Sequence, residues 1–207
     1  TVEVGAVEPS TVERLRALIR AHEPEAVIAV GLAGNREAIC IERIAVNLID
    51  ARIPDNGGTQ PIDQLSVPGA PAARLATPPV KAIARDILAA GIPAEVSHTA
   101  GTFVCNHVFF TALDAASAHE GMRAGFVHVP WDAENAPMDA PYLALDDIVD
   151  ALEIAVRTAL STSDDVALVG ADEDEFEHAE EAADGGEGLV LFRADLGREG
   201  DVVAIGE

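Results

Sequence analysis

The chain has 207 residues, of which 49 % are hydrophobic, and this is enough for one globular domain with its own core. Its formal net charge of −23 at pH 7 argues against nucleic acid or an anionic membrane surface as a partner. No apolar run approaches the roughly 18 residues that a membrane-spanning helix needs, so we expect no membrane segment.

Cysteine and lysine are both rare. The two cysteines, Cys40 and Cys105, are too few for a disulfide framework and suit a reducing compartment, so we expect a cytoplasmic protein. Lys81 is the single lysine beside twelve arginines. Together with the acidic charge, this balance indicates either adaptation to high salt or the arginine codons of a GC-rich genome.

The first part of the chain contains strand and helix signals in turn. Residues 1–6 alternate in polarity and could form a short strand. Ser10 with Glu13 three residues later predicts a capped helix that continues to about His22. Residues 26–30 (AVIAV) are typical of a strand buried on both faces, and GLAG at 31–34 predicts a turn at its carboxyl end.

A second apolar stretch, residues 39–47, has two charged residues inside it, Glu42 and Arg43. Charged side chains rarely lie in such a run unless they are paired. Residues 50–79 show little periodicity and several prolines, which predicts a long surface excursion.

Helix and strand signals alternate through the rest of the chain. One helix should begin after Thr77, which would be its cap, and end before Gly91. Another should run from Cys105 to about His119. The remaining predicted elements are strands at 94–98 and 125–129, a loop at 131–142 and an amphipathic helix at 145–160. This alternation predicts an α/β fold with three layers, in which helices cover both faces of a mostly parallel, twisted sheet.

The composition changes after about Thr162. Residues 164–187 contain eleven acidic residues and neither Lys nor Arg. Such a segment repels itself, so we expect residues 163–207 to be an acidic, largely disordered C-terminal extension. Segments 189–192 and 202–205 could form a terminal hairpin.

Cys105 is the main candidate for chemistry, because a thiolate at a helix start is stabilised by the helix dipole and by backbone N–H groups. His128 ends a predicted strand, at the edge where open α/β sheets bind ligands, and could be the general base. Glu42 could orient its imidazole. Alternatives remain: Cys105 as a buried apolar residue, and Glu42 as a structural partner of Arg43 or Arg52. Five other histidines compete as the base: His22, His98, His107, His119 and His178.

Four stretches closely resemble the pyroglutamyl peptidase I family, also called the pyrrolidone-carboxylate peptidases. They are IERIAVN (41–47), DARIPDNGG (50–58), SHTAGTFVCNHVFF (97–110) and GFVHVP (125–130). The resemblance covers about residues 3–161. It implies a cysteine exopeptidase that removes N-terminal pyroglutamate from peptides through a thioester acyl-enzyme, without cofactor or metal. It also implies a homo-oligomer, either a dimer or a tetramer.

By motif, the resemblance implies Cys105 as nucleophile, His128 as base and Glu42 as the acid of the triad. Arg52 matches an arginine near the triad that supports the oxyanion. Three further positions match the wall of the pyroglutamyl pocket: Phe103, Val104 and Ile53.

The sequence also departs from the family pattern. Members normally begin with a strand carrying T-G-F-x-P-F, which closes over the substrate ring, and this sequence lacks it. We therefore expect residues 1–162 to be an N-terminally incomplete catalytic domain with an exposed sheet edge. Leu32 stands where many members have Gln. An inactive relic or interaction protein of the same fold is thus the alternative function, and another cysteine hydrolase or a nucleoside phosphorylase-like protein is a weaker one.

Overall fold

The computed structural model describes residues 9–55 and 57–166, with side chains from Val12 onward. The expected strand at 1–6, most of the acidic extension and the expected hairpin lie outside these residues. In the part of the chain that is described, no helix combines the length and the apolar character needed to cross a bilayer.

In the described chain the helices and the main strands lie where the sequence predicts them, but short strands also form at Ala73–Leu75, Trp131–Asp132 and Tyr142–Leu143, where an irregular excursion and a loop are predicted. In chain order they are α1 (Pro9–His22), β1 (Ala26–Leu32), β2 (Ile39–Glu42), β3 (Ile44–Val46), β4 (Ala73–Leu75), α2 (Val80–Ala89), β5 (Ala94–Ser97), α3 (Val104–Ala116), β6 (Arg123–Val129), β7 (Trp131–Asp132), β8 (Tyr142–Leu143) and α4 (Leu145–Ser161).

The main sheet has four strands in the order β1-β6-β2-β5. Strand β1 pairs with β6 in parallel, and β2 pairs with β5 in parallel. Only the central contact between β2 and β6 is antiparallel. The predicted mostly parallel sheet is therefore confirmed, with β2 reversed relative to β6.

Two apolar clusters pack on opposite faces of the sheet. One joins α1 and α3 to the sheet through residues such as Leu15, Phe109 and Phe126. The other joins α2 and α4 to it through residues such as Ile83 and Ile148. Neighbouring residues of β1 belong to different clusters, as expected for a strand covered on both sides. The three-layer α/β/α arrangement predicted from the sequence is confirmed.

Several predicted boundaries shift because backbone pairing extends or shortens the elements. Strand β1 continues through Leu32, two residues into the predicted GLAG turn, since Gly31 and Leu32 still pair with β6. Helix α1 already begins at Pro9, so Ser10 lies inside it and does not precede it as a cap. Helix α3 ends at Ala116 rather than at His119.

The start of α2 also differs from the prediction. Thr77 does not cap it, because its hydroxyl accepts a hydrogen bond from the Ala124 N–H at 2.7 Å and so holds the entry to β6. The residue before the helix is Pro79, which has no side-chain oxygen to offer. The carboxylate of Asp165 accepts instead from the Ala82 N–H at 2.9 Å, in the first turn. A residue far along the chain thus serves as the missing cap.

His107 lies in the layer between α3 and α1. It is 8 % exposed, and its Nδ1 has no hydrogen-bond partner among the described residues. Burial, together with the positive charge of Arg16, lowers the pKa of His107 to about 4. The imidazole is therefore held in the neutral form within this layer.

We expect Asp165→Ala to lower the free energy of unfolding by about 1 kcal/mol, the usual value of a helix cap. Urea unfolding followed by circular dichroism measures this change. Asp164→Ala is the matched control, because Asp164 is also exposed but does not contact α2. Equal losses in both variants would contradict the capping role.

Protonation of His107 should make stability depend on pH. The unfolded chain takes up a proton on this residue near pH 6.5, whereas the folded chain does so only near pH 4. The free energy of unfolding should therefore fall as the pH drops through this window, by about 3 kcal/mol for this residue. The His107→Gln variant should show a shallower slope than wild type, and His119→Gln, which changes an exposed histidine, is the control. An unchanged slope in His107→Gln would rule the effect out.

Candidate active site

Cys105 lies one residue after the start of α3, on the helix that covers the β1-β6 pair. Its thiol is half-buried and sits directly against Gly31 of β1. A methyl group built on Gly31 would come within 3.0 Å of Cys105 Sγ and 2.8 Å of the Phe126 ring. Glycine is therefore required here, because any side chain would occupy the space of the sulfur.

The register of β1 and β6 places the imidazole of His128 on the same face as this thiol. Gly31 is the direct partner of His128 across the parallel pair, and partners on adjacent strands point to one face of a sheet. Phe126, two residues earlier on β6, lies on this face too, with its ring 4.8 Å from that of His128. Cys105 and His128 thus lie on the same face of the sheet, near the carboxyl ends of β1 and β6.

Glu42 completes the group from the other side of β6. Its Oε1 lies 2.7 Å from His128 Nδ1, and the carboxylate is fully buried. Because a carboxylate only accepts hydrogen bonds, Nδ1 donates and Nε2 is left to take up a proton. The arrangement is that of an imidazole oriented by an acid, as nucleophilic catalysis by a thiol requires.

The turn before α3 is attached to the loop that carries Arg52 and Ile53. The Asp50 N–H donates to the Thr102 carbonyl at 2.8 Å, and the Thr102 hydroxyl donates back to the Asp50 carbonyl at 3.0 Å. Arg52 is exposed and makes no ion pair or hydrogen bond with another described residue. These contacts place the 50–53 loop beside the start of α3, the helix that carries Cys105.

The predicted pocket residues differ in exposure. Ile53 and Phe103 are half-buried, as a pocket wall would require. The Val104 side chain packs into the core between α3 and the sheet, so only its main chain can face a ligand. The indole of Trp131 lies over Gly34, where a methyl group would come within 2.5 Å of Nε1.

The alternative histidines do not share this geometry. His107 faces α1, and three others are exposed: His22, His98 and His119. His178 lies outside the described residues. Cys40 is buried and donates to Glu95, and its burial raises the pKa of the thiol to about 12, so it stays protonated. Within the described chain, no three His, Cys, Asp or Glu side chains are grouped so as to hold a metal ion.

Two residues around the site were not singled out from the sequence. Asn106, fully buried after Cys105, donates from Nδ2 to the carbonyls of Val46 and Leu48 and accepts from the Val46 N–H. A polar residue inside an apolar run is the sequence feature that could have identified Asn106. Arg36 lies 3.5 Å from Glu42 Oε1, so the cation beside the buried acid is neither Arg43 nor Arg52. No local pattern marks Arg36.

Comparison with known proteins identifies the family. The family model described as pyroglutamyl peptidase matches residues 3–162. The pyrrolidone-carboxylate peptidase of Cupriavidus taiwanensis is 48 % identical over 81 % of this chain and 80 % of its own length. That of Clavibacter michiganensis is 46 % identical over 75 % of this chain and 74 % of its own length.

Solved structures give the same result. The crystal structure of pyroglutamyl peptidase I from Bacillus amyloliquefaciens superimposes with a TM-score of 0.77 at 44 % identity, covering 81 % of this chain and 80 % of that chain. The pyrrolidone carboxyl peptidase from Thermococcus litoralis gives a TM-score of 0.74 at 38 % identity, covering 77 % and 78 %. On these matches over most of its length, the chain belongs to the pyroglutamyl peptidase family.

Proposed function

We propose that this chain removes N-terminal pyroglutamate from peptides, with Cys105 as nucleophile, His128 as general base and acid, and Glu42 as the acid that orients His128. The observation that carries the proposal is the 2.7 Å contact between His128 Nδ1 and Glu42, on the sheet face that also holds the Cys105 thiol. Membership of the pyroglutamyl peptidase family supports the reaction class.

The reaction is an acyl transfer in two halves. His128 Nε2 takes the thiol proton while Cys105 Sγ attacks the carbonyl carbon of the pyroglutamyl residue. The tetrahedral intermediate collapses, the C–N bond breaks, and the proton passes from His128 to the departing amine. Water then attacks the thioester with His128 as base, which releases pyroglutamate and restores the thiol.

The negative oxygen of the tetrahedral intermediate needs hydrogen-bond donors. Helix α3 offers the N–H groups of its first turn, including that of Cys105, which point away from the helix toward the site. Arg52 is a second donor candidate, because its cation is exposed on the loop attached to the turn before α3. Loss of one such donor costs roughly 2.7–4 kcal/mol of transition-state stabilisation.

A pyroglutamyl residue has no charged α-amino group, so its pocket needs an apolar slot and main-chain polar groups rather than an acidic anchor. Phe103 and Ile53 supply half-buried apolar surface on the two segments that flank Cys105. The main chain at Val104 supplies polar groups that can read the lactam. This set accounts for selection of the cyclic residue over an ordinary N-terminus.

The proposal extends to organisation and location. Residues 1–162 would be the catalytic unit and residues 163–207 an extension. Helix α4 ends at Ser161, which agrees with a unit boundary there. Exposed apolar side chains on the excursion, Ile62, Leu65 and Leu75, favour assembly as a dimer or tetramer. Two cysteines without a disulfide suit the cytoplasm.

The proposed activity is tested with an L-pyroglutamyl amide of a fluorescent amine. The folded protein should release the fluorophore, iodoacetamide should abolish the release, and a chelator should not. Cys105→Ala and Cys105→Ser should each lower kcat by at least about 10³-fold. Cys40→Ala is the control thiol and should retain activity. A folded wild-type chain without turnover would support the inactive-relic alternative, and turnover by Cys105→Ala would exclude the nucleophile.

Gly31→Ala should displace the thiol, since the added methyl would lie 3.0 Å from Cys105 Sγ and 2.8 Å from Phe126. We expect kcat to fall by about 100-fold, the effect of a displacement of roughly 1 Å at a reacting group. Gly125→Ala is a matched control, because its methyl would meet Pro78 at 3.1 Å on the opposite face of the sheet. If both variants lose stability alike but keep kcat, the close approach at Gly31 has no role in catalysis.

A further inference from the structure

Arg36 connects three segments that meet at the buried acid. Its Nη2 lies 3.5 Å from Glu42 Oε1 and donates to the Thr99 carbonyl at 3.3 Å. Its Nη1 lies 3.7 Å from Glu95 Oε1 on β5. The side chain is 27 % exposed, whereas that of Glu42 is fully buried, so the guanidinium covers the acid from the solvent side.

The second oxygen of Glu42 makes this contact important. Glu42 Oε2 is buried and has no hydrogen-bond partner among the described residues. The orientation of the carboxylate therefore depends on what Oε1 binds, which is His128 Nδ1 and the Arg36 guanidinium. A buried carboxylate held at one oxygen would rotate or accept a proton more readily if one of these two partners were removed.

We propose that Arg36 is a positioning residue for the Glu42–His128 pair: its guanidinium, held by Thr99 and Glu95, keeps the Glu42 carboxylate directed at His128 Nδ1. The inference rests on the proposed function, because it assigns Arg36 to the same reaction. Arg36 does not touch the reacting atoms and acts only through Glu42.

The described residues place few titratable or charged groups around Glu42. They are His128 on β6, Arg36 on the loop after β1 and the thiol of Cys105 on α3. One step further out on β2 and β5 are Cys40, which stays protonated, and Glu95, which pairs with Arg36. Among the described residues, Arg36 is therefore the arginine that forms an ion pair with Glu42.

Removal of this positive charge should make the Glu42–His128 pair easier to protonate. The acidic limb of the kcat/KM profile reports the ionisation of the pair as a unit. In Arg36→Gln this limb should move to higher pH, because a positive charge beside the pair has been removed. A looser carboxylate should also lower kcat by roughly 10- to 100-fold, with little change in KM. Arg36→Lys should restore the position of the limb in part, because it keeps the charge without the planar contact.

The experiment measures kcat and KM from pH 5 to 9 for wild type, Arg36→Gln and Arg36→Lys. The rate of Cys105 alkylation by iodoacetamide, followed by peptide mapping, is recorded over the same range. Arg74→Gln is the matched control, because Arg74 forms a similarly half-buried ion pair with Asp114 at 2.7 Å, on the outer part of α3. It should lose stability without a shift of either profile.

The outcomes distinguish a failure of the proposed function from a failure of the positioning role of Arg36. If wild type does not cleave the pyroglutamyl amide, the proposed function fails, while a shift of the alkylation profile in Arg36→Gln would still support the positioning role. If wild type is active and folded Arg36→Gln keeps the wild-type limb, kcat and alkylation profile, the positioning role is wrong. A loss of thermal stability in Arg36→Gln equal to that in Arg74→Gln, with unchanged profiles, would likewise assign Arg36 to structure alone.

Discussion

The buried contact between Glu42 and His128 is the constraint on which the site depends. A carboxylate removed from water is costly unless a donor meets it, so the sheet has to deliver one. Glu42 stands opposite Phe126 in the antiparallel pair, two residues before His128 along β6. Diagonal neighbours of this kind are several ångströms apart at Cα, a gap that only long side chains cross. The length of glutamate, one methylene more than aspartate, suits this distance.

The reversed direction of β2 makes that diagonal possible. Its last residue, Glu42, lies beside the middle of β6, whereas Cys40 stands opposite His128. The acid therefore approaches the imidazole from within the sheet, shielded by strands on both sides, while the thiol approaches from the helix layer above. Because the buried acid holds Nδ1, Nε2 is the imidazole nitrogen that is left to exchange a proton, which is the arrangement that proton transfer needs.

Local patterns in the sequence predicted the helices, most strands of the main sheet and the layers, and they indicated Cys105, His128 and Glu42 as candidates, whereas the short strands β4, β7 and β8 were not predicted. The strand at 26–30, buried on both faces, and the pairing of a charged residue within 39–47 could be predicted because each depends on residues that are neighbours in the sequence. Contacts between distant residues were not predictable in this way. Thr77 was expected to cap α2 because it precedes the helix, yet Asp165 does so from 83 residues away. The direction of β2 and the contact of Arg36 with Glu42 likewise depend on the packed fold.

The position of the thiol depends on a second set of contacts, which sequence spacing could not show. Asn106 holds the first turn of α3 to the last residue of β3, Val46, and to Leu48 by three hydrogen bonds, each between 2.9 and 3.0 Å. Asp50 and Thr102 join the 50–53 loop to the turn before the same helix. The proposed nucleophile, the proposed oxyanion donors and one proposed pocket wall thus belong to one hydrogen-bonded unit, and its helix packs on the strand that carries His128. Such cross-linking would suit the proposed reaction, because its rate would fall steeply if the groups that bind the acyl residue moved relative to the thiol.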